Sequence, residues 1–453
     1  MNIPKVRKIL AAAALVLLLR PLALFAQDIT PLPDFTRDDR VLVLAAHPDD
    51  ETIGVAGVIM RALKAGARVK VGCFTSGDNN ELSFILYEKR VTLRQSEFLH
   101  MGGVRRRETL AALASIGVPS TNVFFFGYPD FGTFSIMMRY WGKTTPYRQL
   151  LTRLNSVSYP EALSPGVPYV GESVLNDMRS VLKDFEPTKI FVNHPADTNS
   201  DHQTLYLFLK VALWELEDRM KPQVFPYLIH VVGWPVPRGL HPELSLDPPP
   251  ENIFDVAWKR FDLAPDEVVR KKKMVGCYKS QLVYNPGYLY TFVRKNELFG
   301  ESPEIKLKQD VSPVFLWNNV IQEGEKNESP NQVAHLAFSQ KDGNLFIKLI
   351  LKTALTKNLG VRVLLLPFNK KTDFARMPKF NITIGIGGMQ IKNKKENVNI
   401  PGASVSVKNK IVVVKIPLKA LGSPDRILSR TWARFSREFP FRAPSWRVIR
   451  LEP

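Results

Sequence analysis

Val41-Leu42-Val43-Leu44-Ala45-Ala46-His47-Pro48-Asp49-Asp50-Glu51-Thr52 is the stretch on which the reading of this chain turns. Its first six residues are continuously apolar, as expected of a short strand buried on both faces in a parallel sheet. The next five bring imidazole and carboxylate groups. From Thr52 to Ala65, apolar residues return at helical spacing: Ile53, Ala56, Met60 and Leu63. Strand, polar loop and helix in that order put His47 to Glu51 just beyond the carboxyl end of a strand, where open α/β sheets bind their ligands. Pro48 stiffens the turn. His47 and Asp50, three apart, can wrap one ion, and Asp49 between them can face a water held by it. Imidazole plus carboxylate is a suitable partial ligand set for zinc.

The pattern repeats outward. Residues 69–74, 123–126, 189–193 and 227–232 read as further strands, and 172–185, 205–216 and 265–278 as helices. Residues 88–116 read as helical with a break at Gly102-Gly103, and 131–168 as an insertion without clean periodicity. Such alternation predicts a Rossmann-like, open, mostly parallel α/β sheet with helices on both faces. Near Gly300 the character changes. Short strand-like runs at 315–317, 335–338, 345–351, 361–366, 382–386, 405–407 and 411–416, with turn signals at Asp342-Gly343 and Gly387-Gly388, predict a C-terminal all-β sandwich. The resulting division is a linker at 27–39, an α/β domain at 40–300 and a sandwich at 301–453.

A second polar cluster is Asn193-His194-Pro195-Ala196-Asp197-Thr198-Asn199-Ser200-Asp201-His202. It too follows a buried strand and precedes a helix, with His202 at the first turn. Three of the chain's seven histidines lie in these two segments. Each segment alone has a plainer account: Asp50, Asp197 and Asp201 as caps, and His194 as a hydrogen-bonded structural residue. Two His-bearing loops at the carboxyl ends of strands in one sheet can converge on one ion, and their joint occurrence favours a metal site.

Composition bounds the rest. At 453 residues the chain is too long for one core, and its 45% hydrophobic content suits a globular protein. The net charge of +19 favours anionic polymers or membrane surfaces as contacts, and Lys392 to Lys395 is one candidate patch. No nucleic-acid partner is expected, because no aromatic-basic signature and no Cys/His finger spacing occurs. The two cysteines, Cys73 and Cys277, cannot form a four-thiolate zinc site, and Cys73 in an apolar strand reads as a buried thiol. Residues 1–26 carry Lys5, Arg7 and Lys8 before an apolar run at 9–19, and Ala26 suits cleavage. That is the pattern of a secretory signal, with an uncleaved anchor as the alternative. Either places the mature protein outside the cytoplasm, in the periplasm or the extracellular space.

His47-Pro48-Asp49-Asp50-Glu51 after an apolar strand, with Asp201-His202 after a later one, resembles the LmbE-like / PIG-L-like N-acetylglucosaminyl deacetylase family over about residues 40–300. The resemblance implies a zinc-dependent hydrolase (Fe2+ being another ion that fits) that removes an N-acetyl group from an amino sugar or glycoconjugate. It implies His47, Asp50 and His202 as ligands and Asp49 as general base. Arg105 and Asp130 would contact substrate hydroxyls; Glu108 and Ser280-Gln281 also look like the family's. One departure stands out: where relatives carry a histidine three residues before the distal ligand, this chain has Asn199. Either His194 or His230 substitutes, or Asn199 only hydrogen-bonds the intermediate. His230, in an apolar run read as strand, has a core histidine as its plainer account. The last region weakly resembles family-9 carbohydrate-binding modules, with Trp317, Trp432 and Trp446 as candidate sugar platforms or core residues. Competing readings are another metal hydrolase, such as a phosphoesterase, and a catalytically silent glycan-binding or cell-surface protein.

Overall fold

In the computed structural model, residues 29–79, 85–87, 89, 94–142, 144–249, 255–311, 313–318, 332–435 and 444–452 are described. The secretory-signal expectation, at 1–26, lies outside them. Eight strands form the first sheet: β1 Thr30–Pro31, β2 Arg40–Ala45, β3 Arg68–Thr75, β4 Val123–Tyr128, β5 Lys189–Asn193, β6 Gln223–Tyr227, β7 Ala257–Asp262 and β8 Asn296–Glu301. Their spatial order is β1-β7-β8-β6-β5-β2-β3-β4. The five strands from β4 to β6 run parallel, while β8 pairs antiparallel with both β6 and β7. The sheet is therefore mixed.

Why the strands read as unbroken apolar runs is visible in the packing. Val41, Val43, Val69, Val71 and Phe191 face one core with helices Asp50–Lys64 and Pro265–Val275. Leu42, Leu44, Phe74, Ile190 and Val192 face another, with helices Thr133–Arg139, Gly171–Phe185 and Ser200–Glu215. Alternate side chains go to opposite faces, and both faces are covered.

Three sequence-based expectations need correction. The helix Gln95–Ala114 runs unbroken through Gly102 and Gly103. Gly102 serves close packing instead: a Cβ there would lie 2.2 Å from the Tyr159 hydroxyl. The segment 131–168, expected to be irregular, contains the helix Thr133–Arg139. The strand expected at 227–232 lies earlier, at Gln223–Tyr227, which leaves His230 beyond its carboxyl end.

The C-terminal region is rich in antiparallel strands in two sheets. Five strands make one: β10 Val314–Asn318, β11 Val333–Lys341, β12 Asn344–Leu351, β17 Ser404–Lys408 and β18 Ile411–Pro417. Seven make the other: β9 Ile305–Lys308, β13 Leu359–Phe368, β14 Phe380–Gly385, β15 Gly388–Asn393, β16 Glu396–Asn397, β19 Arg426–Phe435 and β20 Arg447–Glu452. The seven-stranded sheet is buried on both sides. Val361, Val363, Leu365, Ile427 and Ile449 face the five-stranded sheet. Leu364, Leu366, Phe368, Leu428, Val448 and Trp446 join the core beneath helix Ser200–Glu215. Trp446 is 1% exposed and so offers no sugar platform, and Trp432 is partly buried against the same core. The side chain of Trp317 lies outside the described ones. Within the basic run, Lys395 Nζ sits 3.7 Å over the Tyr140 ring and Lys394 donates to the Ala375 carbonyl.

Candidate metal centre

The chain leaves β2 toward β3 and β4 on one side, then returns to β5 and β6 on the other, so the order reverses between β2 and β5. Crevices at such a switch point are where open α/β sheets take ligands. Here β2, β4, β5 and β6 each deliver side chains to one place.

From β2 come His47, Asp49 and Asp50; His202 opens the helix after β5. His47 Nδ1 lies 3.0 Å from His202 Nε2 and 3.6 Å from Asp50 Oδ2, and His202 Nε2 lies 3.1 Å from Asp50 Oδ2. An ion about 2.0–2.1 Å from each of three tetrahedral donors sets those donors about 3.3–3.5 Å apart. The three atoms therefore fit one face of such a shell, and all three residues are buried.

What lies behind the ligands fixes their tautomers. His202 Nδ1 meets Asp197 Oδ2 at 3.0 Å and Asn193 Nδ2 at 2.9 Å. The carboxylate is the stronger partner. Asn193 Oδ1 accepts the Ala46 N–H, and its Nδ2 also reaches Asp50 Oδ2 at 3.2 Å. His202 then carries its proton on Nδ1 and turns a free lone pair on Nε2 to the ion position. His47 Nε2 lies 3.1 Å from Asp130 Oδ1 and 3.4 Å from Asp201 Oδ2, which leaves Nδ1 as the donor atom. Burial works against a charged His202, but Asp197 and Asp50 raise it to about 9. Burial likewise opposes charge on His47, yet Asp130 leads the carboxylates that raise it well above the ordinary value. The carboxylates around both rings make the pocket one that favours positive charge.

Asp49 sits at the N-cap of helix Asp50–Lys64 but makes no side-chain cap hydrogen bond. Its φ is +126°, a conformation that side chains other than glycine's seldom tolerate. Its N–H donates to Glu51 Oε2 at 3.1 Å, and its Oδ2 accepts from Arg105 Nη2 at 3.1 Å. Burial pushes the Asp49 carboxyl up to about 7 against the downward pull of Arg105. Arg105, expected at substrate hydroxyls, is 4% exposed and also donates to the carbonyls of Gly77 and Pro48. Gly77 makes room for it, since a Cβ there would fall 2.1 Å from the guanidinium.

The other sequence-predicted residues divide. Asp130 borders the cleft, but one oxygen faces His47 and the other accepts the Asn79 N–H. Asn199 caps helix Ser200–Glu215, its side chain accepting from the Asp201 N–H. His230 also borders the cleft, its ring 4.9 Å from that of His202 and stacked on Tyr288, whose hydroxyl meets Nδ1 at 2.6 Å. Burial holds His230 down to about 4, so the ring is neutral. His194 is not brought there: it stacks on Trp258 and accepts the Ala196 N–H. Asp197, weighed only as a cap, also accepts from the backbone N–H groups of Ile229 and His230. Glu108 accepts from the N–H and hydroxyl of Ser280 at 2.8 and 2.6 Å, which gives Ser280 a structural part.

The cleft above these groups has a volume of about 650 Å³. Its rim includes Tyr147, Gln149, Gln281 and Tyr288, with Phe131, Leu150 and Tyr284 exposed.

In comparison with known proteins, residues 42–213 match the family model described as PIG-L: GlcNAc-PI de-N-acetylase. A similar curated protein is the 1D-myo-inositol 2-acetamido-2-deoxy-α-D-glucopyranoside deacetylase of Mycobacterium sp. (strain KMS). It is 37% identical over 90 residues, which cover 20% of this chain and 28% of that protein. The corresponding protein of Tsukamurella paurometabola is 38% identical over 81 residues, 18% of this chain and 26% of that one. The chain thus spans little more than a quarter of the length of these relatives. Among solved structures, N,N'-diacetylchitobiose deacetylase from Pyrococcus horikoshii is 18% identical with a TM-score of 0.34, covering 60% of this chain and 79% of that one. The 4-carboxy-2-hydroxymuconate hydratase of Pseudomonas putida is 16% identical with a TM-score of 0.34, covering 58% and 83%.

Proposed function

We propose that this chain is a metal-dependent amidohydrolase that removes the N-acetyl group from an N-acetylglucosamine-type sugar or glycoconjugate. One observation carries the reading: His47 Nδ1, Asp50 Oδ2 and His202 Nε2 converge at 3.0–3.6 Å on the floor of the cleft, with the buried carboxylate of Asp49 beside them. The PIG-L match at 42–213 supports it. A divalent ion on those three donors, zinc by the ligand set with Fe2+ as the other fit, would polarise the acetyl carbonyl and acidify a water molecule.

Asp49 is then the proton acceptor. Burial makes it a stronger base than a free carboxylate, and a base tuned toward neutral pH is what such a step needs. Arg105 holds its oxygen in place and its three contacts tie the loop down, so Arg105 is a positioning residue. Once protonated, Asp49 holds the proton that the departing amine requires. With Nδ1 accepting the Tyr288 hydroxyl proton, neutral His230 carries its N–H on Nε2 and would donate it to the oxygen on which charge develops. Asp130 orients His47. Sugar recognition falls to the cleft lining, where Tyr147 and Gln281 offer polar groups and Phe131 and Tyr284 offer ring faces. The silent glycan-binding alternative rested on Asn199, which lines the cleft while capping its helix; His230 beside His202 in the same cleft favours the catalytic reading.

The test is acetate release from free, oligomeric, inositol-linked and lipid-linked N-acetylglucosamine, with chelator and zinc add-back. Release that chelator abolishes and zinc restores is expected. No release from any of the four by zinc-loaded protein overturns the reading. We also read the chain as exported. N-terminal sequencing of the mature protein should then begin just after Ala26, and a start at Met1 in a cytoplasmic fraction refutes this.

A further inference from the structure

Gln203 follows His202 on the same helix, but it faces the C-terminal sheet and is 1% exposed. Its Oε1 accepts two donors from that sheet, Arg430 Nη1 at 2.8 Å and Trp446 Nε1 at 3.2 Å. With both donors on the oxygen the amide has one orientation, and its Nε2 donates to the Asp197 main-chain carbonyl. The Trp446 N–H donates to the Pro195 carbonyl at 3.3 Å. The loop between β5 and its helix is therefore gripped from outside at two carbonyls. On the inner side, the Asp197 carboxylate holds His202 Nδ1 and the N–H groups of Ile229 and His230. Arg430 is itself set by the Pro444 carbonyl at 2.8 Å and by the Trp432 ring at 5.3 Å.

We propose that Arg430 and Trp446 are positioning residues for the metal centre: through Gln203 they fix Asp197, and through Asp197 the tautomer and direction of His202. The C-terminal sheet then belongs to the catalytic unit and is no detachable binding module. The proposal rests on the reading that His47, Asp50 and His202 hold an ion. Groups that orient a metal-bound histidine commonly change affinity about 10–100-fold when removed. Arg430 acts one step further out, so the low end of that range applies.

The experiment measures zinc affinity of the full chain by competition with a chromophoric chelator, alongside the unfolding midpoint of the metal-free protein. Arg430→Met keeps an unbranched side chain of similar reach, removes the guanidinium, and should weaken zinc binding about tenfold. Arg430→Lys should recover part of the loss. Trp446→Phe keeps a ring in the interface and removes only the Nε1 donor, which should give a smaller loss. Gln203→Leu should weaken binding as Arg430→Met does, with the double variant no worse than the worse single, because both lie on one path. Leu366→Ala damages the same interface without touching Gln203; it should lower the midpoint and leave zinc affinity within about twofold. Unchanged affinity in Arg430→Met and Trp446→Phe overturns the proposal, as does an equal loss in Leu366→Ala. Failure of the unaltered chain to bind zinc overturns the metal reading instead, and is seen before any variant is compared.

Discussion

Asp49→Asn is the sharpest test of the proposed chemistry, because it changes the base and little else. The two side chains have nearly the same volume. Arg105 loses a charged partner but keeps the Gly77 and Pro48 carbonyls at 3.1 and 2.7 Å, so the loop stays anchored. The three donor atoms belong to other residues, so zinc should bind with about unchanged affinity. What disappears is proton transfer to a positioned base, worth about 10²–10⁴ in rate, or about 3–5 kcal/mol of barrier at 1.36 kcal/mol per decade. The loss should fall on kcat, with KM within a few-fold. Folding should change little: Asn sheds the cost of a buried carboxylate, which offsets the charged partner that Arg105 loses, so the metal-free variant should melt within a few degrees of the unaltered chain. The assay is steady-state acetate release on the best substrate of the panel, with metal content by mass spectrometry and melting of the metal-free protein. Zinc lost together with activity would make Asp49 a ligand, and kcat reduced less than about tenfold would remove it as the base.

Three further outcomes follow from the geometry. His230→Ala should lower kcat about 10²-fold, in the range for removing an oxyanion donor, whereas His194→Ala, away from the cleft, should lower stability with kcat within a few-fold; equal kinetic effects in side-by-side assays contradict the assignment. Lys271 and Glu297 form a buried pair at 2.8 Å, and Glu297 also accepts the N–H groups of Gly57 and Val58, so Lys271→Ala should destabilise by about 3–5 kcal/mol in urea unfolding, and a loss under 1 kcal/mol would show that water reaches Glu297. Burial would raise the Asp39 carboxyl, but Lys189, the Thr36 N–H and Thr188 hold it below its ordinary 3.8. A depressed carboxyl contributes stability that is present above the unfolded value and lost as pH falls through the folded one. The stability gap between the unaltered chain and Asp39→Asn should then be constant above about pH 5 and close below 3.8; a gap that persists at pH 2 denies the ion pair its role.

How much of this could be read from the chain depends on the range of each interaction. Residues 41–46 were legible as a strand because burial on both faces leaves a pure apolar run, and the loops after β2 and β5 because each clusters ligand types at a strand end. That the loops bearing His47 and His202, 155 residues apart, could meet followed from the α/β order, whereas the choice of His202 over His194 came from the family resemblance. His230 was obscured by the same rule that served elsewhere. Residues 227–232 look like strand, yet pairing stops at Tyr227 because Asp197 takes the Ile229 and His230 N–H groups. No local pattern reports that. Strand β19 was missed because Arg426, Arg430 and Arg434 break its apolar alternation. Arg426 and Arg430 are spent on Glu217 and Gln203 across the docking face.

These long-range ties set the size of the working unit. The matched segment ends at residue 213, but His230, which completes the cleft, comes from beyond it. So does Tyr278, whose hydroxyl meets Glu51 and Thr52, and so does Ser280, which clasps Glu108 on the helix that carries Arg105. Cutting the chain after β8 would keep those contacts and still expose Leu364's and Leu428's partners beneath helix Ser200–Glu215, the helix that carries His202 in its first turn. Bare apolar surface on that helix must find a new partner or shift, and either response moves His202. On the proposed function, the minimal working unit therefore includes β19 and β20.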